Sequence, residues 1–104
     1  MTTSEETQEI RRLAVEFYLL RDVVKAFAVP NREHLHDTVF AEFERLGTEL
    51  QTRGATIGTL PPANMFDSQR PLVVLPNGAA IAPEHNRMDI ERRVSALIEA
   101  DHRR

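Results

Sequence analysis

The heptapeptide NREHLHD, residues 31–37, is the stretch most crowded with reactive side chains. His34 and His36 stand one residue apart, with Glu33 before them and Asp37 after. Imidazoles beside carboxylates can hold a transition metal or pass a proton, provided the groups converge. In a helix, residues two apart point about 200° from each other. The two histidines therefore share a ligand only on a strand. A third ligand would have to come from His85, Asp67 or Glu84, all far along the chain. No HExxH spacing and no acidic calcium loop is present.

Asn31 is a good helix N-cap, and Leu35, Val39, Phe40, Phe43, Leu46 and Leu50 follow at helical spacing. A helix splits the histidine pair. His34 falls on the polar side with Arg45. His36 falls in the apolar arc beside Val39, Phe40 and Phe43, where Gly47 lets a neighbour approach. The segment reads as a helix start, and neither a metal nor another cofactor is expected.

Other reactive groups are scattered. The serines are Ser4, Ser68 and Ser95, and none sits in a GxSxG elbow. GxxxxGK and GxGxxG phosphate loops are missing, and the chain has no cysteine. Thiolate catalysis, thiolate metal sites and disulfides are thereby excluded. Asp67 and Arg70, with His85 further on, could form a small polar site. Arg87, Arg92 and Arg93 are the best case for nucleic acid, but Asp89, Glu91 and Glu99 interleave with them. The net charge is −3, so nucleic-acid binding is not expected.

These residues need elements to position them. The chain has 104 residues, 41% hydrophobic and 28% charged, which fits one globular domain over 1–104. The polar, acidic start MTTSEETQEIRR is not a signal peptide, and no apolar run nears the ~20 residues that span a bilayer. No membrane partner and a cytoplasmic location are expected.

The fold expected is α+β and mostly helical. Ile10, Leu13, Phe17, Leu20, Val24 and Phe27 repeat at spacings of three and four, predicting a helix over 4–28 that stops before Pro30. Its later half has an apolar arc of roughly 160°, wider than the ~100° that one packing partner needs. The arc either packs against two elements of its own chain or meets another subunit. The second helix is expected over 31–53, antiparallel to the first, with Gly54 as its stop. Residues 54–71 show no clear period. A strand at Thr56–Leu60 is possible, and Met65 and Phe66 are expected to tuck onto the helices. Asn77-Gly78 marks a β-hairpin with strands over 72–75 and 79–82. Such a hairpin is marginal alone and must lie on the helices, gain a third strand or pair with another chain. Asn86 can cap a closing helix over 86–101, whose stripe is Ile90, Val94, Leu97 and Ile98.

The function expected is a small non-enzymatic interaction or accessory module that homodimerises or docks on a larger protein. Leu19, Val23, Phe27, Val73 and Leu75 are the candidate interface residues. The alternative is a small enzyme or ligand-binding protein. Its pocket would lie between the β-hairpin and helix 2, lined by His36, Arg70 and His85.

The split of the histidine pair has a direct check. Titration with zinc should show no tight site. Tight binding lost in both His34→Ala and His36→Ala would restore the ligand pair.

Overall fold

The computed structural model describes residues 4–60 and 70–103. Helix α1 spans Ser4–Ala26 and α2 spans Glu33–Thr52. Strands β1 (Thr56–Leu60), β2 (Arg70–Val74) and β3 (Ala80–Ile81) follow, and α3 (Arg87–His102) closes the chain. The fold is α+β and mostly helical, as its periodicity predicts. The strands form one antiparallel sheet in the order β1-β2-β3. The hairpin therefore gains its third strand from within the chain, at Thr56–Leu60.

α1 lies at the centre. Ile10, Leu13, Ala14, Phe17, Tyr18, Leu19, Leu20 and Val23 are all buried along it. They cover most of the helix circumference because α2, the sheet and α3 each take a side. That explains the wide apolar arc. The five residues proposed for an interface sit in this core: Leu19 is 8% exposed, Val23 0%, Phe27 2%, Val73 0% and Leu75 4%. The chain's own elements bury all five, and only Leu19 keeps an edge on a cleft, the one between α1 and α3.

The sheet is fastened to α1 by a residue that the apolar pattern passes over. The Tyr18 hydroxyl accepts from the Val73 N–H at 2.7 Å and donates to the Ile81 carbonyl at 2.7 Å. Val73 and Ile81 are register partners across β2 and β3. One phenol thus links two strands to the central helix. Ile57 stands opposite Val73 on the other side, so Ile57, Val73 and Ile81 make an apolar row across the sheet.

Several boundaries move for local reasons. Asn31 does not cap α2. It takes φ 72°, the left-handed region that asparagine tolerates, and turns the chain between the helices. The cap position falls to Arg32, which makes no side-chain cap bond. α1 ends at Ala26 and not at 28: Phe27 and Ala28 bond only three residues back, to Val24 and Lys25. The Asn77-Gly78 hairpin loop has three residues. Gly78 N–H donates to the Leu75 carbonyl, Leu75 N–H donates to Ala79, and only Gly78 has positive φ. Pro76 and Asn77 form the turn and Gly78 supplies the left-handed residue, the usual three-residue pattern. β2 begins at Arg70 despite Pro71, because β3 pairs only with Val73 and Val74. At Pro71 the strand has one neighbour, the position where proline is tolerated. At α3 the expected cap forms in full, with Asn86 and Asp89 exchanging side-chain and backbone bonds.

Tyr18 is the chain's one tyrosine. Tyr18→Phe should leave a buried N–H and a buried carbonyl without this partner, costing on the order of 2–4 kcal/mol in urea denaturation. Burial pushes the Tyr18 phenol up, outweighing the Val73 hydrogen bond that pulls it down. The unfolded chain ionises near pH ~10, while the folded chain resists. Stability should be complete below about pH 10 and fall as pH rises through the folded value. Tyr18→Phe should lose that alkaline slope; equal slopes in both proteins would contradict the assignment.

Candidate functional site

The residues that sequence reasoning singled out go to separate places. His85, just before α3, packs against α1, with Nε2–H donating to Asp22 Oδ2 at 2.5 Å. Its side chain is only 10% exposed, and its Nδ1 is buried with no hydrogen-bond partner among the described residues. His36 is half-buried on α2, stacked on Phe40 at 6.0 Å between ring centroids, with Asp37 at 3.3 Å. His34 is exposed, and its Nε2 lies 2.9 Å from Asp101 on α3. Arg70 is exposed at the start of β2. The cleft where α1, α2 and β1 meet is lined by none of His36, Arg70 and His85, and the cleft between α1 and α3 by His85 alone. No three metal-ligating side chains converge among the described residues. Met65, Phe66 and Asp67 lie outside the described residues.

His85 belongs to the docking of α3. This helix has no fully buried residue, and Ile90, Val94, Leu97 and Ile98 only partly bury their stripe. Polar links hold its length. His85 meets Asp22 at its start, Arg93 meets Glu16 of α1 with Nη2 at 3.2 Å from Oε2, and Asp101 meets His34 of α2. The Glu16 hydrogen bonds raise the Arg93 guanidinium above its ordinary value, against a smaller opposing effect of burial. The other arginines of α3 and of its C-cap also have carboxylate neighbours: Arg87 with Glu91, Arg92 with Asp89, and the C-cap Arg103 with Glu99. Each pair cancels charge locally, which flattens any basic field on this face.

An open cleft lies elsewhere, where α1, α2 and β1 meet. Its volume is about 550 Å³. Phe17 and Phe43 stack at 4.4 Å in its wall, and Val24 and Ile57 extend the apolar lining. Gly47 makes room here: a Cβ on it would stand 3.2 Å from the Phe17 ring. The neighbour that this glycine admits is thus one ring of α1. Phe40 forms the lip on α2 and is 42% exposed, one of three exposed large apolar side chains among the described residues, with Val29 and Met88. Arg21 and Lys25 of α1 line the opposite side.

No protein-family model, no curated protein and no solved structure matches this chain. Sequence reasoning placed Phe40 in the packing arc of α2 and missed it as surface. The signal available was the width of that arc: with Leu35, Val39, Leu46 and Leu50 already filling the core, Phe40 lies at its far edge.

His85 and His34 should separate by stability. His85→Ala should cost on the order of 1–3 kcal/mol, because it removes the imidazole that donates to Asp22 and opens a gap under α3. His34→Ala should stay within about 0.5 kcal/mol, as exposed pairs usually do. Urea denaturation of both variants checks the order, and an equal or reversed cost would contradict it.

Proposed function

We propose that this chain is a small non-enzymatic interaction or accessory module, and that its docking surface is the apolar cleft of α1, α2 and β1. The observation that carries this is Phe40, an aromatic ring 42% exposed at the lip of a cleft walled by stacked Phe17 and Phe43. Exposed contiguous apolar surface of this kind marks contact sites, and aromatic side chains are enriched at them. This surface replaces the five core residues as the proposed interface. The cleft is open, suiting a side chain or helix face of a protein partner. The pocket alternative draws no support from the clefts of the described residues, since the cleft of α1, α2 and β1 is lined by none of His36, Arg70 and His85 and the one between α1 and α3 by His85 alone. A cytoplasmic location is part of the proposal. Among the described residues no helix is long and apolar enough to cross a membrane.

A photo-reactive phenylalanine analogue at position 40, introduced in living cells, tests the surface. It should give a defined protein adduct that the same group at exposed Ala100 does not. No adduct above the Ala100 background would contradict the docking surface.

A further inference from the structure

We infer that the occupant of this cleft is a second copy of the same chain, docked about a two-fold axis close to Phe40; the inference rests on the docking reading above. The argument is one of shape and charge. A cleft with an apolar floor and a cationic side at Arg21 and Lys25 fits an aromatic knob surrounded by carboxylates. This chain displays such a knob. Phe40 is exposed on α2, and Glu33, Asp37 and Glu44 stand seven and three residues before it and four after it, on the same helix face. All three are exposed.

Knob and cleft adjoin each other, because Phe40 is itself the cleft's lip. A surface whose basic side and acidic side flank one apolar centre is self-complementary under a two-fold rotation. The acidic α2 side of one copy then faces the basic α1 side of the other, in both directions at once. Some of these charges also have neighbours within the chain. Asp37 lies 3.3 Å from His36 Nδ1, and Arg21 lies 3.3 Å from Asp22. The Arg21 side chain is only 16% exposed, so the exposed charges at Lys25 and Asp37 are the ones placed to steer association.

One exposed phenylalanine and an open cleft make a small contact, below the ~800 Å² per partner of a standard stable interface. Association is therefore weak and concentration-dependent.

Sedimentation equilibrium from about 10 µM to about 1 mM spans the range where such contacts populate. At low salt the average mass should climb towards that of a dimer, and raising salt should shift the transition to higher concentration. Phe40→Glu should weaken dimerisation by at least about tenfold, with its circular dichroism unchanged because the residue is exposed. An Asp37→Lys/Glu44→Lys variant and a Lys25→Glu variant should each fail alone and form a dimer when mixed. A wild type that stays monomeric throughout would overturn the second-copy assignment. So would a dimer that Phe40→Glu leaves intact, or charge variants that do not pair when mixed. The docking surface itself would survive such a failure if the position-40 adduct had a mass other than that of two chains. It would fall with the absence of any adduct.

Discussion

The hydroxyl of Tyr18 reaches from the middle of α1 into the gap between β2 and β3, accepting from Val73 and donating to Ile81. A sheet with a third strand of only two residues has little cohesion of its own. Its backbone groups near the centre need partners, and the phenol provides two in a place from which water is excluded. The bond also fixes where the sheet sits along α1. Once Val73 and Ile81 are held there, their side chains and Ile57 face the helix. The floor of the cleft follows, because Ile57 and the following Gly58 and Thr59 line it with Phe17 and Phe43.

α1 must satisfy three neighbours at once, and its composition shows how. Large apolar residues meet α2 and the sheet, while Ala14 is fully buried. Glu16 and Asp22 reach to α3 through Arg93 and His85. α3 is held differently from the rest. It lacks a fully buried side chain and depends on a half-covered stripe and polar links at both ends. Elements with few buried apolar contacts occupy the low end of local stability. The architecture is thus a firm unit of α1, α2 and sheet, with a more loosely attached helix.

Much of this was legible in the chain itself. Spacings of three and four disclosed all three helices, and Asn86 with Asp89 announced the cap of α3. The Asn77-Gly78 signal located the hairpin, and the three residues 76–78 left between the expected strands are the loop observed. The NREHLHD segment resolved as geometry required, with His34 towards α3 and His36 beside Phe40. What stayed hidden was long-range. The apolar pattern passes over Tyr18, and nothing local says that its hydroxyl will meet residues 55 and 63 positions away. His85 reads as a loop histidine until Asp22 stands against it. The interface residues were chosen for their apolarity, and apolarity alone cannot separate a core from a contact surface when one helix serves three neighbours. Asn31 was ambiguous for a related reason, since the same side chain suits an N-cap and a left-handed turn.

The central claim is that Tyr18 couples the sheet to α1, and native-state amide exchange in wild type and Tyr18→Phe tests it most directly. In the wild type, the amides of Val73 and of the α1 core should exchange together at the slowest rate, with α3 opening at lower free energy. In Tyr18→Phe, protection should drop most at Val73 and its strand neighbours, while α1 and α2 keep theirs relative to the new global stability. Uniform loss across all elements, or a Val73 amide as protected as before, would contradict the account.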